Sequence, residues 1–167
     1  MFSRNIRASL LLVVIGTNVI KAQIVPASHL LELKSYFSPS KQLHAFCTSD
    51  ACRKAIFAKG FGYDPVKGSE TVGKVLDYLK VSQIKDSCAL SLRPLFFKYV
   101  GSTHVHTSNN GIMAGYVAMT KGVCGATVPI FAWKSSVNDD ILYATDMSKN
   151  KNYNRRLAGE PKFYVWP

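Results

Sequence analysis

Val128-Pro129-Ile130-Phe131-Ala132-Trp133, a polar link over 134–140, and Ile141-Leu142-Tyr143-Ala144-Thr145-Asp146 decide the fold, because the pattern recurs. Each hexamer is bounded by turn-forming residues and rich in β-branched and aromatic side chains, which is strand composition. A third apolar run, Phe163-Tyr164-Val165-Trp166, closes the chain. Slid to the front, the template meets Leu31-Glu32-Leu33-Lys34-Ser35-Tyr36, a link of equal length over 37–43, and His44-Ala45-Phe46-Cys47-Thr48-Ser49, with no gap. A middle copy opens on Pro94-Leu95-Phe96-Phe97-Lys98-Tyr99. A shorter link comes next, then His104-Val105-His106-Thr107-Ser108-Asn109 and the closing Gly115-Tyr116-Val117-Ala118. Asp77-Tyr78-Leu79 is the expected closer of the first copy. In this alignment Phe46, His106 and Tyr143 share one place, and Ala45, Val105 and Leu142 the next. Thr48, Ser108 and Thr145 end each strand, where a hydroxyl can bond turn backbone.

Three short β units predict an all-β fold. One unit alone leaves open edges and a bare apolar face, whereas three around an axis cover both. The economical solution is β-trefoil-like, with three pseudo-equivalent repeats at about 29–87, 88–123 and 124–167 in a single domain, 23–167. A short helical insertion is expected in the first repeat over 51–59, capped by Ser49 or Asp50 and stopped by Gly60. Residues 68–83 suit either strand or helix.

The N-terminus has the three parts of a signal peptide: basic residues Arg4 and Arg7, an apolar run over 8–20, and a small exit residue, Ala22. The run is shorter than the roughly 20 residues of a membrane span, and no other segment reads as a transmembrane anchor. Removal of 1–22 leaves 145 of the 167 residues and, with Arg4, Arg7 and Lys21 gone, a net charge of +8 (18 basic against 10 acidic). Secretion turns that charge towards extracellular polyanions such as acidic polysaccharide rather than nucleic acid. The densest basic patch, Lys149-Asn150-Lys151-Asn152-Tyr153-Asn154-Arg155-Arg156, reads as a solvated loop.

Cys47, Cys52, Cys88 and Cys124 form an even set in a secreted chain, which suggests two disulfides. Of the three pairings, Cys47–Cys52 with Cys88–Cys124 is expected. The first pair suits a small local loop. The members of the second each precede the first strand of a copy.

The chain resembles a family of secreted or cell-surface repeat modules whose repeat reads V-P-L-Y-R-Y-Y-N-P-x-T-G-D-H-F-Y-T-T, then Gly-Tyr and a closing A-F-Y-V. Residues 36–48 match that pattern without a gap, Gly60-Phe61-Gly62-Tyr63 is similar to its Gly-Tyr element, and 124–129 and 162–165 match as well. The resemblance implies a lectin-like, β-trefoil-like module. The chain departs from the family at the Gly-Asp-His: Gln42-Leu43 and Ser102-Thr103 replace the Gly-Asp, while Asp140 is kept but followed by Ile141. No copy holds the motif whole.

Sugar binding pairs an aromatic ring with amides or acids that fix hydroxyls. Trp133 with Asn138, Asp139 and Asp140 is one such group, and Tyr36 with Gln42 and His44 is its counterpart in the first copy. His104, with His106 two residues on, is a further candidate, but with no third ligand evident no metal and no cofactor are expected. No nucleophile elbow, H-E-x-x-H or P-loop occurs, and Asp139 and Asp140, being adjacent, would point to opposite faces of a strand. No catalytic residue is assigned. The expected function is a secreted lectin-like module for carbohydrate. The alternatives are a disulfide-stabilised extracellular protein that binds a protein partner, and a hydrolase with an unrecognised site.

Overall fold

The computed structural model describes residues 24–63, 70–100, 102–106, 111–146, 152–153 and 155–167. The signal-peptide reading lies outside them. The described residues are all-β, with two short α-helices among them. A first segment holds β1 (Leu30–Ser38), β2 (Leu43–Cys47), α1 (Asp50–Phe57), β3 (Gly62–Tyr63) and β4 (Glu70–Leu76). The helix α2 (Asp86–Ala89) leads into a second, with β5 (Leu92–Val100), β6 (Ser102–His106) and β7 (Ile112–Ala118). The third holds β8 (Val128–Lys134), β9 (Ile141–Ala144), β10 (Arg155–Arg156) and β11 (Phe163–Val165). The expected helical insertion is α1, and Ser49 is its cap, accepting a hydrogen bond from the Cys52 amide at 3.2 Å.

The strands join in one antiparallel sheet whose longest path runs β10-β8-β11-β7-β4-β1-β2. In every segment the first strand pairs with a hairpin partner at one end and a closing strand at the other. The closing strands then meet one another. Leu76 pairs with Tyr116, Tyr164 with Ala118, and Lys74 with Trp166 through reciprocal hydrogen bonds of 2.8 and 2.9 Å.

Registers of the first and third segments agree: Lys34 faces Cys47 as Phe131 faces Ala144, and Tyr36 faces Ala45 as Trp133 faces Leu142. The second is displaced from its sequence alignment. There Val105 faces Phe97, the place that Phe46 and Tyr143 hold opposite Ser35 and Ala132, so Val105 rather than His106 belongs in that column. Both strands of this segment are displaced together by one residue, and the link between them keeps its aligned length. The first closing strand is also not Asp77-Tyr78-Leu79. It ends at Leu76, because Asp77 turns the chain into a 3-10 helix by accepting from the Leu79 amide at 3.0 Å.

Equivalent places fill the core. Leu33, Leu95 and Ile130 are buried, as are Val75, Val117 and Val165. Phe46 stacks on Phe97 at 5.4 Å and meets Tyr143 edge-on at 5.8 Å. The closing strands approach so tightly that Gly115, at φ +147°, leaves no room for a side chain. A Cβ there would stand 2.5 Å from the Leu76 carbonyl and 2.8 Å from Val75. Gly73 faces Val165 in the same way. A second cluster, around Trp166, Leu76, Ile84 and Cys124, lies beneath α2, and a third joins Ile56 of α1 to Tyr36 and Phe61. The disulfides are Cys47–Cys52 and Cys88–Cys124, as expected. No helix among the described residues is long and apolar enough to cross a membrane.

Candidate functional site

Two groups that the sequence places in different copies meet in space. His44 is the second residue of β2, the return strand of the β1–β2 hairpin, and Asp140 stands just before β9. The Asp140 carboxylate accepts the His44 backbone N–H at 3.1–3.2 Å, its ring Nδ1 at 2.7 Å and the Tyr153 hydroxyl at 2.7 Å. With the carboxylate accepting, Nδ1 carries the ring proton. Tyr153 also lies 3.0 Å from that nitrogen and edge-on to the imidazole. The three side chains are sealed from solvent, Asp140 completely. A buried carboxylate is tolerated only where donors surround it. The local chain is built to hold it: Asn138 accepts the Asp140 amide at 3.0 Å, and Ser135 donates its amide to the Asp140 carbonyl at 2.9 Å. Asn138 also donates to the Gln42 carbonyl at 2.7 Å, a second tie between the same two segments. His44 of the first segment and Asp140 of the third thus form one buried joint. It holds no group that solvent reaches.

A cleft open to solvent lies elsewhere on the first segment. It measures about 340 Å³ and sits between β1 and the start of α1, lined by Leu30, Leu31, Glu32, Lys34, Tyr36, Cys47, Thr48, Ser49, Asp50 and Arg53. Alternation along β1 sends Glu32, Lys34 and Tyr36 to this face, and the first turn of α1 brings Asp50 and Arg53. Lys34 Nζ pairs with Glu32 at 2.9 Å and Arg53 with Asp50 at 3.0 Å. The hydrogen bond and charge of Lys34 hold the Glu32 carboxyl below its ordinary range, and Glu32 raises Lys34 in return. The cleft therefore offers paired acceptors and donors beside the Thr48 and Ser49 side chains, with an aromatic ring beneath.

Tyr36 and Trp133, expected as open stacking platforms, are buried at 2% and 6% exposure. Both sit under other groups, Tyr36 under Phe57 of α1 and Trp133 under Arg156 of β10. Tyr36 lies edge-on to Phe57 at 5.5 Å. Trp133 donates its indole N–H to the Ala144 carbonyl at 3.2 Å and lies under the Arg156 guanidinium. Asp139 is exposed and paired with Lys134 at 3.1 Å, apart from its buried neighbour Asp140. Gln42 turns the hairpin at φ +54°, its side-chain amide donating to the Pro39 carbonyl. His104 faces Lys98 across the β5–β6 ladder, and its side chain lies outside the described residues. Among the described residues no cluster of three His, Cys, Asp or Glu is arranged to hold a metal.

Sequence reasoning did not single out Tyr153, Arg53 or Arg156. Tyr153 lies in the basic run read as a solvated loop; an aromatic amid charges was the available signal. Arg53 stands three residues after Asp50, the spacing of a helical ion pair. No family model, curated protein or solved structure matches the chain.

Proposed function

We propose that the chain is a secreted, lectin-like binding module of β-trefoil type, with three repeats, that takes a carbohydrate in the cleft between β1 and α1. The observation carrying this reading is the cleft's lining: two carboxylates, a lysine, an arginine, Thr48 and Ser49 within about 340 Å³ over Tyr36. Sugar hydroxyls donate and accept at once, so they match a wall that alternates both kinds of group. The ion pairs pre-orient those groups and reduce the ordering that binding would otherwise require. Two disulfides suit an oxidising, extracellular setting. Cleavage of a leader after Ala22 belongs to the same proposal, and mass spectrometry of the secreted chain tests it.

The direct test is a glycan array with disulfide-intact protein, followed by calorimetry on any hit. E32A and R53A should each weaken a hit about tenfold or more, with the melting temperature kept. Absence of binding to any glycan, or hits indifferent to both variants, removes the reading. Binding of a protein partner is the second reading, favoured by Tyr78, Leu79 and Leu90, which lie exposed around the 3-10 helix and α2. A partner captured equally well in excess free sugar and lost on L79S would support it.

A further inference from the structure

Arg155 and Arg156 form β10, a two-residue strand at the end of the sheet, paired with Lys134 and Trp133 of β8. Both are exposed. The Arg156 guanidinium lies 3.9 Å from the centre of the Phe131 ring and 4.8 Å from that of Trp133. Among the described residues no carboxylate pairs with either arginine. The nearest basic neighbour in the ladder, Lys134, is already taken by Asp139 at 3.1 Å. A guanidinium stacked on its flat face keeps its N–H edge for other acceptors, and the stacking restrains the side chain before any ligand arrives. That edge suits planar or tetrahedral oxyanions, which a guanidinium grips with two parallel hydrogen bonds.

We infer that β10 is an anion subsite for an acidic polysaccharide, with Arg156 as a fixed fork on Phe131 and Trp133 and Arg155 as a second, free cation. The inference rests on the reading of the chain as an extracellular glycan binder, but places the acidic sugar on the third segment rather than in the cleft. The first segment shows what is particular here. Its corresponding strand β3 carries Gly62 and Tyr63 opposite Phe37 and Tyr36, with no cation in either place.

The test is calorimetry of the full disulfide-intact chain with a heparin octasaccharide, a chemically desulfated octasaccharide and poly-glutamate of matched charge. R155Q/R156Q should lose about tenfold in affinity for heparin. K85Q/K121Q, which removes two exposed lysines and the same charge, should lose under about threefold, the screened long-range share. R156K keeps the charge without the fork and should fall most of the way with the double variant. R155Q alone touches no ring, so its loss of heparin binding tests the site even if R156Q lowers stability. Equal losses in the two double variants, full affinity in R156K, or equal arginine-dependent affinity for poly-glutamate would each overturn the inference. A chain indifferent to neutral sugars that still binds heparin through these arginines keeps the subsite and removes the cleft reading. A chain that binds neutral sugars in the cleft and heparin without arginine dependence does the reverse.

Discussion

Tyr36 and Trp133 hold the same place in two segments with one register, yet their surroundings differ. Above Tyr36 the chain leaves β2 into α1, and the space between helix and strand stays open as the cleft. Above Trp133 the Arg156 guanidinium of β10 lies over the ring instead, 4.8 Å from its centre. Strand pairing fixes the scaffold, and what lies over the shared place, a helix edge or an arginine, decides whether a pocket or a charged edge forms there. The two segments are not independent, because Asp140 of the third closes on His44 of the first.

Breaking that joint should give the largest effect. D140A leaves the His44 amide, the imidazole and the Tyr153 hydroxyl without their acceptor in a dry site, and should cost about 3–5 kcal/mol in chemical denaturation. D140N keeps the shape and one acceptor oxygen and should cost less. A loss under about 1 kcal/mol for D140A would mean that the segments are held by apolar packing alone.

The closing strands carry a second contrast. Gly73 and Gly115 occupy corresponding places in the first two segments, facing Leu33 and Leu95, whereas the third has Phe163 facing Ile130. Two segments use the place for close approach of a neighbouring strand, and the third fills it with a ring stacked 6.3 Å from Tyr143. G115A should therefore cost about 2–4 kcal/mol, by collision with the Leu76 carbonyl and Val75 and by strain at positive φ. Guanidinium unfolding measures it. A neutral result would show that β4 and β7 can separate without loss.

Much of the scaffold was legible because strands announce themselves by local composition. The hexamers at 31–36 and 128–133, their equal links and the turn from Ser49 into α1 all rest on neighbours in sequence. The Cys47–Cys52 pairing came from the same short-range logic, and Cys88–Cys124 from the matching places of the two cysteines in neighbouring copies. The second segment slipped by one residue because its first strand, with Leu95, Phe96 and Phe97 in an unbroken apolar run, lacks the alternation that would fix where the template starts. The site was less legible because it depends on long-range pairing. Gln42 with Asn138 and His44 with Asp140 are each 96 positions apart, and no period links one copy's aspartate to another's histidine. Nor does sequence tell whether an aromatic such as Trp133 faces in or out at a strand centre, since either face of a sheet can be covered.

Ser35 sharpens the comparison at smaller amplitude. Its place is filled by Phe97 in the second segment and Ala132 in the third, and its hydroxyl is buried without a hydrogen-bond partner. Removing an unsatisfied buried polar group relieves its desolvation penalty, so S35A should leave stability unchanged or raise it by up to about 1 kcal/mol. A loss beyond about 1 kcal/mol would show that the hydroxyl holds a bond that the first segment needs.

The smallest effect belongs to the exposed pair at the cleft rim. Glu32 is lowered from 4.5, so its contribution is fully present above that value and is lost as pH falls through the lowered one. Lys34 is raised from 10.5, so its share is present below that value and is lost as pH rises through the raised one. Between those limits the melting temperature of the wild type should exceed that of E32Q by about one degree or less, since water and salt screen a surface pair. The difference should shrink in strong acid, in strong base and in molar salt. A difference that persists at molar salt would mean that Glu32 acts through packing against the cleft wall, and the pairing that pre-orients the first segment's site would then have to be sought in Asp50 and Arg53.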